Sequence, residues 1–313
     1  MLADVARAAG ISESTASRAL KDDPRIGETT RAAVRAAAAS LGYVPNAAAR
    51  SLRAKRTQIL GLLLDDLADP VHGQLAAGFE EAAAAQGYAV FMMTGLHDPE
   101  RENRALRTFL EHRADGIALA SCVIDPSDVY EQVSRLRVVF VQPDYPGLID
   151  DGAPSHGFLL IDDAAGVSAA VRHLVDLGYR RMAYVGAGGT TSDRMRRATA
   201  TAVIGAVSGA SLRVYDAGLA GWRDPSMVAN ALAADRPEAV ICYDDKLALA
   251  LIDALRLTSL DVPNDVAVVG FDGIVQAGRS RPRLTTVAVP SVELGRRAVG
   301  MLVAAARDGA MAP

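Results

Sequence analysis

Residues 10–20, GISESTASRAL, place short polar side chains at the start of a candidate helix. Arg18 can donate two hydrogen bonds to guanine, Ser14 can bond several bases, and Glu13 can accept from the amino group of cytosine. Because the N-terminal end of such a helix can lie in the major groove, this arrangement favours base recognition. The predicted DNA-contacting residues of the segment are Glu13, Ser14, Thr15, Ser17 and Arg18. A small helical domain that binds another protein is the alternative.

Three short helices are predicted to position these side chains. The first covers residues 2–9, and the second follows Ser12, whose hydroxyl can cap it by accepting a backbone N–H. The third covers about 28–41 and packs apolar residues, Leu41 among them, behind the first two. Two short helices joined by a Gly-containing turn are typical of the helix-turn-helix unit. Residues 1–44 are therefore predicted to form a small all-α DNA-binding domain.

Residues 45–56 are predicted to form a hinge that contains small and basic residues. A helix this short is marginal in isolation, so we expect it to fold when DNA and a second copy are present. Its cations can reach phosphates, and Leu52 can open a base step in the minor groove. The expected contacts with DNA come from Asn46, Ala49, Arg50, Leu52 and Lys55. A basic interdomain linker is the alternative.

The remaining residues, 57–313, alternate apolar runs with alanine-rich amphipathic stretches. Continuous apolar strands separated by helices indicate parallel sheets that are covered on both faces. The strand candidates are 59–64, 88–93, 116–120, 138–141, 158–161, 182–186, 212–215, 239–243 and 266–271. Nine strands suit an α/β body of two doubly wound lobes better than one. The predicted lobes are about 57–157 with 284–313, and about 158–283.

Polar side chains follow several of these strands. Ligands of such folds bind outside the carboxyl ends of the strands, here in the cleft between the lobes. A fork-shaped arginine, acceptor carboxylates and a flat aromatic ring suit a neutral polyol. The candidate residues are His72, Arg196, Trp222, Asp244 and Asp272. For each of them, a helix cap or a solvated loop residue is the alternative.

The run LADVARAAGISESTASRAL, followed by AASLGYVPNAAARSLR, resembles the head and hinge of the LacI/GalR (lac-repressor-type) bacterial transcription regulators. The resemblance continues through AVICYDDKLALA and VVGFD in the body. It implies base-reading positions for Glu13, Ser14 and Arg18 and an intercalating position for Leu52. It also implies a periplasmic-binding-protein-like body and a homodimer on a roughly palindromic operator.

By the same resemblance, Arg196, Trp222, Asp244 and Asp272 occupy effector-contacting positions of the sugar-responsive members. Departures from the family pattern at these sites leave the sugar class open. Asp244 stands where many members have Asn, and residues 71–72, Val-His, replace a frequent aromatic pair beside the cleft.

Composition limits the other function classes. Residues 1–56 contain ten Lys/Arg and five Asp/Glu, whereas the whole chain has 33 and 37 and a net charge of −4. A basic head on an acidic body predicts that only the head binds a polyanion. No apolar run approaches the ~20 residues that cross a bilayer, so no membrane partner and a cytoplasmic location are expected. The two cysteines, Cys122 and Cys242, are interpreted as buried reduced thiols.

Enzymatic motifs are weak or missing in the sequence. GAGG at 186–189 lacks the spacing of a dinucleotide loop, and no nucleophile elbow, Walker loop or metal-binding pattern is found. We therefore expect neither catalytic residues, nor a cofactor, nor a metal site. The prediction is a repressor controlled by a sugar or sugar-like effector. The alternatives are a regulator that has lost small-molecule sensing and a sugar-binding protein unrelated to transcription.

Overall fold

The computed structural model of the chain describes residues 1–43, 56–133, 136–144, 156–218 and 223–308. Two compact units, Met1–Thr57 and Gln58–Pro313, make up the protein. The helices of the first unit are α1 (Leu2–Ala8), α2 (Glu13–Ala19) and α3 (Glu28–Ser40). No helix in these ranges is long and apolar enough to cross a membrane.

The core of the first unit is small and aliphatic. Its buried residues are Val5, Ala6, Ala16, Ala19, Val34 and Ala38. The prediction that Leu41 packs in this core is wrong, because its side chain is 51% exposed. Helix α3 ends at Ser40 with Leu41 as its C-cap residue, and the chain reverses at Gly42, whose φ is +58°. The amide of Tyr43 then donates to the carbonyl of Ala38 at 2.8 Å. This C-terminal cap packs Tyr43 against the core in place of Leu41.

The second unit alternates strands and helices. Its strands are β1 (Ile59–Leu64), β2 (Ala89–Thr94), β3 (Gly116–Ala120), β4 (Arg137–Val141), β5 (His156–Leu159), β6 (Arg181–Gly186), β7 (Ser211–Asp216), β8 (Ala239–Cys242), β9 (Ala267–Asp272) and β10 (Thr285–Ala288). Its helices are α4 (Pro70–Ala85), α5 (Pro99–Glu111), α6 (Pro126–Gln132), α7 (Asp163–Asp176), α8 (Thr191–Gly205), α9 (Ser226–Asp235), α10 (Asp245–Leu255) and α11 (Ser291–Asp308).

The strands form two five-stranded sheets, in the orders β2-β1-β3-β4-β5 and β10-β9-β8-β6-β7. Every described pairing is parallel; Leu62, for example, is in register with Met92 on one side and Ala118 on the other. Hydrophobic clusters cover both faces of each sheet, which explains the continuous apolar strands. We call the first sheet with α4–α6 and α11 lobe 1, and the second sheet with α7–α10 lobe 2.

Three helices of lobe 1 begin with the same local device, an aspartate followed by proline. Asp69, Asp98 and Asp125 each accept a hydrogen bond from the backbone amide two residues further on, at 2.8–2.9 Å. The proline at the first helical position has no N–H that would need a partner. The starts of α4, α5 and α6 are thus encoded locally.

The lobe boundaries differ from the sequence prediction at two strands. Residues 284–313 were assigned to lobe 1, but β10 pairs with β9 in the second sheet, with Thr286 opposite Gly270. Residues 158 and 159 were assigned to lobe 2, but they belong to β5 in the first sheet. Both strands directly precede a crossover between lobes, so apolarity alone does not show to which sheet each belongs.

Helix α11 returns the chain from β10 to lobe 1, where it packs closely on α4. Glycines make this crossing tight: a Cβ on Gly78 would meet the backbone of Val292, and one on Gly295 would meet the backbone of Leu75. Any larger side chain at either position would push the two helices apart. This contact holds the start of α11, and with it Ser291, beside the lobe interface.

Candidate functional site

The polar side chains at the start of α2 form the candidate site of the first unit. Ser12 caps the helix by accepting from the amide of Thr15 at 3.2 Å. Its hydroxyl also lies 2.9 Å from that of Ser14 and 2.8 Å from that of Thr15. Glu13, Ser14 and Arg18 are exposed on the helix surface. This end of the helix therefore presents a donor, an acceptor and a hydroxyl to solvent.

The other predicted DNA contacts differ in accessibility. Thr15 and Ser17 are only half-buried, so part of each side chain remains at the surface. The five hinge residues lie outside the described residues: Asn46, Ala49, Arg50, Leu52 and Lys55. Their roles stay predictions from the sequence.

A cavity of about 430 Å³ lies between the two lobes of the second unit. Lobe 1 contributes residues that follow β1, β2, β3 and β4, and lobe 2 contributes residues that follow β6 and β8 and the last residue of β9. The carboxyl ends of both parallel sheets therefore meet at one cavity, as expected for a doubly wound fold. Four of the five predicted effector residues line it: His72, Arg196, Asp244 and Asp272. The fifth, Trp222, lies outside the described residues.

Arg196, near the start of α8, is the most constrained of these side chains. Its Nε donates to Asp163 at 2.8 Å and its Nη1 donates to the carbonyl of Tyr243 at 2.6 Å. The guanidinium stacks on Phe271, with 3.6 Å between its central carbon and the ring centroid. Burial acts to lower the pKa of Arg196, but the neighbouring charges of Asp272 and Asp163 raise it overall. Arg196 is thus a buried cation held in a fixed plane.

The two carboxylates of lobe 2, Asp244 and Asp272, differ in their partners. One oxygen of Asp244 accepts from the amide of Leu247 at 2.7 Å and so caps α10. Asp272 lies 3.9 Å from Nη1 of Arg196. Burial raises the pKa of Asp272 well above its ordinary value; Arg196 opposes that shift and Asp244 adds to it. Burial raises the pKa of Asp244 as well, and Lys246 opposes it.

His72 lies on α4 at the lobe 1 wall, where it is 7% exposed. Its Nδ1 lies 2.9 Å from the carbonyl of Asp66, and its Nε2 lies 3.1 Å from the hydroxyl of Ser121. Both ring nitrogens therefore have partners within lobe 1. His72 therefore shapes the cavity wall with an apolar ring edge, because both of its nitrogens are already engaged.

Sequence reasoning missed several cavity residues of lobe 1. His97 pairs with Asp65 at 2.6 Å and with Asp144 at 3.7 Å. Hydrogen bonding to Asp144 and Asp65 raises the pKa of His97 to about 10, so the imidazole is charged at neutral pH. The position of Asp144, directly after a predicted strand, was the available signal. Nothing local marks His97.

Gln142 and Lys246 were also missed, and both connect the lobes. The Gln142 amide nitrogen donates to Asp163 at 3.1 Å and to Ser192 at 3.0 Å. Lys246 forms an ion pair with Asp69 of lobe 1. Polar contacts therefore cross the cavity as well as line it. Within the described residues, no cluster of three or more His, Cys, Asp or Glu side chains could hold a metal ion.

Comparisons with known proteins agree with this architecture. Residues 1–46 match the family described as "Bacterial regulatory proteins, lacI family", and residues 171–313 match "Periplasmic binding protein-like domain". The ribose operon repressor of Escherichia coli (strain K12) is 32% identical over 315 residues, which cover 96% of this chain and 91% of that protein. The HTH-type transcriptional regulator GalR of Salmonella typhimurium (strain LT2) is 30% identical over 311 residues, which cover 97% and 88%.

A solved structure shares this fold. The lac repressor dimer bound to operator and the anti-inducer ONPF superimposes with a TM-score of 0.83 at 25% identity, covering 98% of this chain and 92% of that chain. The chain belongs to the lacI family of bacterial regulatory proteins. It is a ligand-responsive, DNA-binding transcription regulator with a helix-turn-helix head and a two-lobed α/β body.

Proposed function

We propose that this protein is a repressor whose affinity for operator DNA is controlled by a sugar or sugar-like effector in the cavity between its lobes. The observation that carries the proposal is the convergence of Arg196, Asp244 and Asp272 on one cavity of about 430 Å³. A planar donor fork beside acceptor carboxylates suits the hydroxyls of a polyol. The size is that of a small-molecule site.

On the DNA side, Glu13, Ser14 and Arg18 read base edges, and Thr15 and Ser17 support them from the half-buried flank of α2. Two copies place two heads on the halves of a roughly palindromic operator. The relative solved as a dimer on its operator supports this arrangement. In the hinge, Leu52 separates a base step, and the other contacts with the DNA backbone come from Asn46, Ala49, Arg50 and Lys55.

Control arises because the effector touches both lobes at once. A ligand that prefers one angle between the lobes shifts the population toward that angle. The hinge directly precedes lobe 1 in sequence, so a change of lobe angle alters how two hinges meet on DNA. A coupling of this kind is typically worth ~1–3 kcal/mol between the two sites.

The cavity binds its ligand without converting it, and the protein acts in the cytoplasm, where its DNA target lies. Relatives that are transcription regulators support the first statement. The polar groups of the cavity also support it, because they are largely engaged in ion pairs and helix caps.

The test begins with selection of the operator from random DNA by the full-length protein. We expect an inverted repeat. The selected operator is then titrated with protein by fluorescence anisotropy in the presence of each member of a sugar and nucleoside panel, alongside thermal shift measurements. One ligand should raise the melting temperature and change operator affinity ~5–150-fold.

A ligand that raises the melting temperature with no effect on DNA affinity contradicts the proposed control. A panel in which no compound changes either quantity favours a regulator that has lost small-molecule sensing. Selection of no DNA sequence contradicts the operator assignment itself.

A further inference from the structure

The cavity between the lobes contains more carboxylates than its cations neutralise at close range. The carboxylates lining it are Asp65, Asp66, Asp69, Asp144, Asp244 and Asp272. His97 lies between Asp65 and Asp144, and Lys246 is paired with Asp69. Four cations line the same cavity, His97, Arg196, Arg223 and Lys246, so the carboxylates outnumber them by two.

Arg196 does not remove this excess, because its hydrogen bonds are directed elsewhere. Nε is bound to Asp163, which does not line the cavity, and Nη1 is bound to the Tyr243 carbonyl at 2.6 Å. The same Nη1 is 3.9 Å from Asp272, which is beyond hydrogen-bonding distance. The positive charge of Arg196 is thus shared between a close carboxylate and a distant one.

Asp272 and Asp244 consequently retain acceptor capacity at the cavity. In the described part of the chain, the Asp272 carboxylate accepts no hydrogen bond, although its side chain is only 13% exposed. Asp244 uses one oxygen to cap α10, and its other oxygen is 3.8 Å from Lys246. Asp244 and Asp69 both act to raise the pKa of Asp272, so the carboxylates interact electrostatically. Two poorly compensated carboxylate oxygens in a largely dehydrated site favour a cation.

A second, independent observation points to a ligand in the same place. Ser291, at the start of α11, lines the cavity and is 2% exposed. Its hydroxyl oxygen has no hydrogen-bond partner among the described residues. Buried hydroxyls without partners are rare, and a polar ligand atom would supply the missing partner.

The geometry points to an effector that is an amine-bearing polyol of the hexosamine type, with its ammonium between Asp244 and Asp272 and a hydroxyl near Ser291. This inference rests on the proposed function, since it assumes that the cavity is the effector site. Hydroxyl groups alone would satisfy the acceptors but leave the negative charge uncompensated. An ammonium does both, and charge-assisted hydrogen bonds are roughly twice as strong as neutral ones. Sugar phosphates and uronates would add charge of the wrong sign.

Isothermal titration calorimetry of the full-length protein at pH 7 tests this inference with matched probes. The probes are glucosamine, galactosamine and mannosamine, the corresponding hexoses, their N-acetyl derivatives and the hexuronates. We expect one hexosamine to bind at least ~10-fold more tightly than its hexose and its N-acetyl derivative, and the hexuronates to bind more weakly still.

Asp272→Asn separates charge from shape, since the amide has nearly the same size. This variant should lose the preference for the hexosamine and bind hexosamine and hexose within ~3-fold of each other. Asp176→Asn is the matched control, because Asp176 is an exposed carboxylate at the end of α7 in the same lobe. The control should keep the full preference. Circular dichroism of both variants shows whether they are folded.

Three outcomes overturn the inference: no hexosamine binds, a hexose binds as tightly as its hexosamine, or Asp272→Asn keeps the preference. A neutral sugar that binds tightly and changes operator affinity overturns the amine assignment while leaving the proposed function standing. If no compound of any class binds, the proposed function fails along with it.

Discussion

Lys246 of α10 and Asp69 at the start of α4 form an ion pair that joins lobe 2 to lobe 1 across the cavity. Asp69 also caps α4, so the pair connects the N-terminal ends of two helices from different lobes. The side chains of Lys246 and Asp69 are 26% and 16% exposed, so solvent screens them only in part. The pair therefore stabilises the observed angle between the lobes.

A double-mutant cycle measures this contribution. Lys246→Met and Asp69→Asn, alone and together, should give a coupling free energy of ~1–2 kcal/mol in urea unfolding of the full chain. Asparagine at position 69 keeps the helix cap, so the cycle isolates the charge. The exposed pair of Glu293 and Arg297 on α11, 3.0 Å apart, is the control and should couple by only ~0.3–0.5 kcal/mol. Equal coupling in both cycles would show that the interlobe pair is no stronger than a surface pair.

Arg196 is expected to be essential for stability as well as for effector binding. Arg196→Lys keeps the charge but loses the planar fork that holds Asp163 and the Tyr243 carbonyl, and it loses the stacking on Phe271. We expect a loss of ~2–4 kcal/mol in unfolding free energy, because Asp163 is left buried with a poorer partner. Urea unfolding followed by circular dichroism measures it. Arg197→Lys, at the exposed neighbouring position, should change stability by less than ~0.5 kcal/mol. Unaltered stability of Arg196→Lys would mean that lysine reproduces the contacts.

Arg18→Ala should weaken binding to the selected operator by ~1–3 kcal/mol and relax the preference at one base position. The reason is that an exposed arginine on α2 can make two hydrogen bonds to one guanine. Anisotropy titrations with the operator, its single-base variants and a scrambled duplex measure both effects. Arg7→Ala removes an exposed arginine of α1 that is paired with Asp4, and it should leave the base preference intact. An equal loss on all sequences would assign Arg18 to phosphate contact only.

The raised pKa of Asp245 predicts that the stability of the protein depends on pH. Burial raises the pKa of Asp245 to about 6 from an ordinary value of 3.8, against hydrogen bonds from Thr286 and Ile274 that lower it. Between about pH 4 and 6 the folded state holds a proton that the unfolded state releases. The stabilising contribution of the protonated Asp245 side chain is therefore fully present below about pH 4. It decreases by at most ~3 kcal/mol as the pH rises through 6.

The measurement is the unfolding free energy of the native protein minus that of Asp245→Asn, taken from pH 4 to 7. This difference should fall as the pH rises, because asparagine does not titrate. Asp253→Asn, an exposed position on the same helix, should show no such trend. A difference that stays flat across this range would place the pKa of Asp245 near its ordinary value.

Much of the body could be predicted because the sequence patterns that specify its strands and helix starts are local. The strands 59–64 and 116–120 were predicted with the observed bounds. A continuous apolar run between polar turns is typical of a parallel strand that is buried on both faces. Ser12 caps α2 as its position indicates. The last strand, β10, is absent from the predicted strands, because four residues carry too little pattern to distinguish a strand from a connection.

The sequence by itself determined the family, the helix-turn-helix head, the parallel α/β body and which loops follow the carboxyl ends of strands. Only the tertiary structure decided which of those loop side chains are partners. Lys246 and Asp69 are 177 positions apart in the sequence, and Arg196 and Asp163 are 33 positions apart. Such pairs depend on strand order and on where the chain crosses between lobes, which no local pattern encodes. The distances between the charged groups of the cavity follow from that tertiary arrangement. They leave the carboxylate of Asp272 3.9 Å from Arg196, beyond hydrogen-bonding distance.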